Sequence, residues 1–166
     1  MDARRQSELA PMKNITKVER KSDREVVVTR SFDAPARLVF EAWSKPELFT
    51  RWWVPKSMGM TLRSCEMDVR TGGSYRLGFG EGMEFFGRYI EVTPPSRIVW
   101  TNDEGGENGS TTTVTLTETN GKTLLVMSEL YPSKEALDAA GTGAAEAMHE
   151  TFVQLDDLLI ELASTS

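Results

Sequence analysis

Few residues in this chain have both the type and the setting to do chemistry. Glu129 has the strongest case. It shares strand parity with Leu125 and Met127, so it points inward if they do. A carboxyl in apolar surroundings has a raised pKa and serves as general acid or base. The competing reading puts Glu129 at a strand end, near solvent or paired with an arginine. His149, the only histidine, falls about 100° from Met148 on a helical wheel, which makes it a rim or surface residue and a weak catalytic candidate. Tyr75 is a further potential partner for such acid–base work. Asp68 and Arg70 flank the Gly72-Gly73 turn. They read first as an ion pair beside a tight turn, and second as an anchor in which Arg70 holds a ligand carboxylate. Trp52-Trp53 reads as packing between helix and sheet, or as a stacking surface for a planar ligand. Cys65 lies in an apolar alternation and is expected to be a small core residue.

Composition excludes several classes. With 19 Lys and Arg against 25 Asp and Glu, the net charge is −6. That leaves no electrostatic footprint for nucleic acid and no polybasic face for anionic lipid. One cysteine cannot form an intrachain disulfide, and no Cys/His cluster has the spacing of a transition-metal site. No nucleophile elbow, phosphate-cradling loop or dinucleotide fingerprint is present, so no cofactor is expected. Gly78-Phe79-Gly80-Glu81-Gly82 is glycine-rich, but it joins two strands as a hairpin. There is no apolar leader and no run near the roughly 20 residues that span a bilayer. The cytoplasm is the default expectation.

The elements that must position these residues follow from periodicity. Residues 1–23 are polar and mixed in charge, and are expected to form a flexible N-terminal extension to a single domain over 24–166. The β-branched run at 24–32 predicts a strand. Asp33 is a candidate helix cap and Pro35 fits a first turn, ahead of Leu38, Val39, Ala42 and Trp43 at helical spacing. Pro46 starts a second short helix through Trp53, and Pro55 ends it. Six strands follow to about residue 131, punctuated by Gly72-Gly73, Gly80-Glu81-Gly82, Pro94-Pro95, an acidic glycine-rich loop at 102–109, and Asn120-Gly121, a type I′ hairpin signal. Gly87 marks a place where the strand bends or is closely approached. Pro132-Ser133-Lys134-Glu135 opens a short helical turn. A long helix from about 144 to 163 then lines up Met148, Phe152, Leu155, Leu159 and Leu162 as one apolar stripe. The order is strand, two helices, six strands, long helix: an α+β fold with helices on one face of an antiparallel sheet.

That order and four local stretches resemble the START-like, or SRPBCC, superfamily. Within it they most resemble the homologues of the C-terminal domain of the ATPase activator of the 90-kDa heat-shock chaperone. The stretches are Phe32-Asp33-Ala34-Pro35 with Val39-Phe40-Glu41-Ala42-Trp43; Pro46-Glu47 with Arg51-Trp52-Trp53-Val54-Pro55; Asp68-Val69-Arg70-Thr71-Gly72-Gly73-Ser74-Tyr75-Arg76; and Gly87 to Pro95, including Glu91-Val92-Thr93-Pro94-Pro95. The resemblance covers residues 25–162. It implies a helix-grip fold, like that of the birch-pollen allergen, in which the C-terminal helix closes over a curved sheet and leaves a hydrophobic cavity. Many relatives open the last helix with Gly-Trp. Ala147-Met148 stands there in this chain, exchanging a rigid indole for a flexible thioether at the implied pocket mouth.

Function is set by sites grafted on folds. Three readings stand at this level. The first is a binding protein for a small hydrophobic ligand, aromatic or polyketide-like, held between sheet and C-terminal helix. Trp52, Trp53, Tyr75, Phe79, Phe85, Trp100, Met127, Met148 and Phe152 would form the wall, and Arg70 and Glu129 would orient the ligand. The second is a cyclase- or hydrolase-like enzyme in the same pocket, working through Glu129 with His149 or Tyr75. Its mark would be Glu129 buried within hydrogen-bond reach of another titratable side chain. The third, implied by the family resemblance, is a chaperone-associated interaction domain. It ranks below the first because no counterpart of the co-chaperones' separate N-terminal domain is seen. Homodimerisation through an exposed strand or helix is compatible with the pattern.

Overall fold

The computed structural model describes residues 14–165. The described residues form one eight-stranded antiparallel sheet and five α-helices. The chain runs β1 (Lys17–Arg20), β2 (Glu25–Phe32), α1 (Ala36–Ser44), α2 (Pro46–Phe49), β3 (Ser64–Met67), β4 (Ser74–Gly80), β5 (Met83–Thr93), β6 (Arg97–Thr101), β7 (Thr111–Thr119), β8 (Lys122–Leu130), α3 (Lys134–Ala140), α4 (Gly143–Glu146) and α5 (Met148–Thr165). The sheet order is β1-β2-β8-β7-β6-β5-β4-β3. All pairings but β2–β8 join strands adjacent in the chain. The Asn120-Gly121 turn closes the β7–β8 hairpin as its sequence predicts, with both residues at positive φ.

One strand was not anticipated. Lys17–Arg20 falls in the stretch expected to be a flexible extension, yet it pairs with β2 from Lys17↔Thr29 to Arg20↔Val26. It is polar and mostly exposed, so it carries no apolar alternation to reveal it. It forms because β2 would otherwise present an open edge. Residues 1–13 of the expected extension lie outside the described residues.

Alternation in β2 turns Val26, Val28, Arg30 and Phe32 to the core. Arg30 is only 2% exposed. Its guanidinium donates to both carboxylate oxygens of Asp156 on α5, at 2.6 and 2.7 Å. This fork and the apolar stripe fix the long helix. Phe152, Leu155 and Leu159 are buried, with Phe152 edge-on to Phe32 at 5.3 Å and stacked at 6.4 Å on Trp52. Gln154 of α5 also ties down the segment after α2. Its amide donates to the carbonyls of Trp52 and Val54, and its oxygen accepts from the Lys56 N–H.

The start of α1 differs from expectation. Pro35 itself occupies the cap position, and Asp33 makes no cap bond. The first free N–H, that of Ala36, donates instead to Glu118 at 2.9 Å. A residue from the distant β7–β8 hairpin thus satisfies a group that helix ends leave open. The second helix is also shorter than the sequence suggests, ending at Phe49. Trp52 then folds back so that its indole N–H donates to the Ala42 carbonyl at 2.9 Å.

Candidate functional site

Register places one inward row across the sheet. Glu129 on β8 lies opposite Thr112 on β7, Thr112 opposite Trp100 on β6, and Trp100 opposite Tyr89 on β5. Tyr75 on β4 faces Gly87 on β5. A side chain at Gly87 would put its Cβ 1.9 Å from the Thr101 carbonyl oxygen. Glycine therefore lets β5 press against the end of β6, where the Tyr75 hydroxyl donates to the same carbonyl at 2.8 Å.

Above this row lies a cavity of about 570 Å³, within the range of small-molecule sites. Its apolar wall combines Trp43, Phe49 and Trp53 from the α1–α2 region with Tyr75, Tyr89 and Trp100 from the sheet. Trp43 and Trp100 rings lie 5.7 Å apart, and Phe49 stacks on Trp53 at 4.9 Å. The far side is short-chained: Ala136, Ala139, Ala140 and Ala144, from α3 and α4. Residues 102–110 form the remaining edge.

The polar end has two networks. In the first, Asn102 accepts from the Tyr75 hydroxyl and the Trp100 indole N–H, both at 3.3 Å. Its amide donates to the Ser110 carbonyl and hydroxyl at 3.0 Å and to the Thr112 hydroxyl at 2.9 Å. Gly109 completes that loop, because a Cβ there would sit 2.3 Å from the Asn102 carbonyl oxygen. In the second network, the Tyr131 hydroxyl donates to Glu129 at 3.1 Å. Burial raises the Glu129 pKa. The Tyr131 bond opposes that rise, and nearby Glu104 adds to it. Tyr131 is pushed up to about 12, first by burial and then by the Glu129 charge. Burial also raises the hydroxyls of Tyr75 and Tyr89, so both are neutral near pH 7.

Of the expected site residues, Trp53, Tyr75, Phe85, Trp100 and Glu129 line this cavity. The others do not. Trp52, Met127 and Phe152 are packed in the core, and Met148 is buried at the start of α5. Phe79 packs edge-on to Phe85 at 5.5 Å. Arg70 is exposed and paired with Asp68 at 2.9 Å, as the ion-pair reading holds. His149 is exposed, with Nδ1 3.3 Å from the Thr16 hydroxyl. Cys65 is half-buried, Sγ 3.3 Å from Met67 Sδ, and burial raises its thiol. The cavity also sits elsewhere than expected. No described residue of α5 lines it. The space between sheet and long helix is filled by the Phe32–Phe152–Trp52 interlock, and the opening lies beyond it, under α3 and α4.

Sequence reasoning missed Tyr131, Asn102, Glu104 and the alanine wall. Tyr131 had a signal, being the next residue of the 125–127–129 parity series. Asn102 had none, because its role depends on β6 and β7 closing around it. Among the described residues, no group of three or more His, Cys, Asp or Glu could hold a metal, and no helix is long and apolar enough to cross a membrane.

Residues 33–160 match the family model for Activator of Hsp90 ATPase homolog 1-like proteins. No curated protein matches the chain. Among solved structures, a Rhodobacter sphaeroides protein is 26% identical with a TM-score of 0.77, covering 92% of this chain and all of its own. One from Staphylococcus epidermidis is 25% identical with a TM-score of 0.69, covering 87% and 94%. One from Nitrosomonas europaea is 22% identical, TM-score 0.73, covering 84% and 96%, a likeness of fold alone.

Proposed function

The chain belongs to the Activator of Hsp90 ATPase homolog 1-like family, with the helix-grip fold of the SRPBCC superfamily, and from that premise we propose that it binds a small, largely aromatic ligand in the cavity beneath α3 and α4. The observation that carries this reading is a sizeable cavity with an aromatic wall and one polar end. Apolar burial at roughly 25 cal/mol per Å² supplies most of the affinity. Glu129, Tyr131 and the Asn102 cluster give direction to whatever polar group the ligand carries.

The test is titration with N-phenylnaphthylamine, whose fluorescence rises in apolar surroundings. Saturable one-site binding is expected. Ala136→Phe projects bulk from a buried lining position and is expected to weaken it at least about tenfold. Binding that is absent, or indifferent to Ala136→Phe in a folded variant, refutes the proposal.

One observation favours a second reading. Glu129 lies in the cavity within hydrogen-bond reach of another titratable side chain, Tyr131. Such a carboxyl, its pKa raised by burial, could pass a proton to or from a bound carbonyl compound. Turnover that Glu129→Gln abolishes while binding persists would mark the protein as an enzyme of cyclase or hydrolase type. A chaperone-associated role rests on the family description alone and ranks third.

A further inference from the structure

The charge inventory of the cavity is one-sided. Its lining holds two carboxylates, Glu129 and Glu104, and among the described residues no Lys, Arg or His. Basic groups on the flanking elements are engaged elsewhere: Arg88 with Asp103, and Arg20 and Lys134 with Asp138. Three donors of the wall are already used. The Tyr131 hydroxyl goes to Glu129, the Trp100 N–H to Asn102, and the Tyr75 hydroxyl to the Thr101 carbonyl. The Trp43 N–H has no partner, but it is sealed off from accessible space. Acceptors remain open. Glu129 receives Tyr131 on Oε2 and Glu104 receives the Phe86 N–H on Oε1, leaving one oxygen of each without a bond among the described residues.

An anionic ligand would meet two like charges and, among the described lining residues, no cationic group to answer it. A cation would meet a carboxylate and several aromatic faces, which attract positive charge through their quadrupoles. Resting on the binding reading above, we propose that the ligand is an aromatic compound bearing a basic amine, its ring against Trp43, Trp53 and Trp100 and its ammonium donating to Glu129. The pairing also explains why a carboxyl is kept in so apolar a place. Glu129 raises the cost of the empty cavity, and an ammonium offsets that cost when the ligand arrives. The groups that would face the ammonium are Glu129 on β8 and Tyr131 just after it, Glu104 from the 102–110 loop, and Tyr75 and Tyr89 from β4 and β5.

The experiment compares three probes of one shape by isothermal titration calorimetry at pH 7: naphthylmethylamine, naphthalenemethanol and naphthoic acid. The amine is expected to bind at least about tenfold more tightly than the acid, with the alcohol between. Glu129→Gln is expected to erase the amine's advantage over the alcohol, and a circular-dichroism melting curve reports that the variant is folded. An acid that binds as well as the amine, or an amine preference that survives Glu129→Gln, overturns the proposal while the cavity reading stands. Failure of all three probes overturns both.

Discussion

Asn102→Ala tests whether the polar end is one connected unit. The side chain spreads two N–H hydrogens over three acceptors and accepts two further bonds. Replacing it removes two N–H bonds, at about 1 kcal/mol net each. It also strands the Trp100 indole N–H and the Thr112 hydroxyl, which is 1% exposed, for about 1–3 kcal/mol more, since the hydroxyl can turn to another partner. The Ser110 carbonyl keeps one donor, the Asn102 backbone N–H at 3.0 Å, which limits the damage. The sum is about 3–5 kcal/mol, or a melting temperature lower by roughly 6–20 °C for a chain of this size. The loop at 103–109 hangs from this anchor, so N-phenylnaphthylamine should also bind several-fold more weakly. Calorimetric melting and probe titration read both effects. A loss below about 1 kcal/mol with unchanged binding would show that Asn102 merely occupies the loop and does not organise it.

Two further outcomes follow from buried charge. Asp156→Ala leaves the Arg30 guanidinium buried without its carboxylate and should cost about 3 kcal/mol in urea denaturation. The double variant Arg30→Met with Asp156→Leu should recover most of that loss, and equal destabilisation of single and double variants would contradict the account. The raised pKa of Glu129 means that the folded empty protein holds this proton more tightly than the unfolded chain does. The Glu129 contribution to stability is therefore full below the ordinary carboxylate range and lost as pH rises through the raised folded value. Glu129→Gln should melt above the parent at pH 7, with the gap closing toward acid; a gap independent of pH would sink this reasoning.

How much of this was legible depended on whether the causes were local. Period-two alternation revealed the inward set of β8, and with it Glu129, because a strand's faces are settled by parity alone. The α5 stripe was equally plain. What lay beyond reach depended on pairings between distant segments. β1 has no apolar face of its own and exists because β2 offers it hydrogen bonds. Glu118 caps α1 from a hairpin 82 residues away. The misplaced cavity has the same origin. The stripe showed that α5 must bury Phe152, but not that Phe32 and Trp52 would meet it and close the space. Arg70 lies in the bend that follows β3, exposed and paired with Asp68, which is the reading first given to that pair.

The alanine wall has a consequence for how such a protein could change its ligand. Ala139, Ala140 and Ala144 border the cavity on one side and solvent on the other. The helix of the first two, α3, is held by other features: the Ser133 cap on the Ala136 N–H at 3.0 Å, the fully buried Leu137, and the Arg20–Asp138 pair. A larger side chain at one of these alanines reshapes the chamber without disturbing a residue that the sheet needs for folding. Under the binding proposal, stability and selectivity would thus be written in separate parts of the chain, and one point mutation would be enough to begin a new specificity.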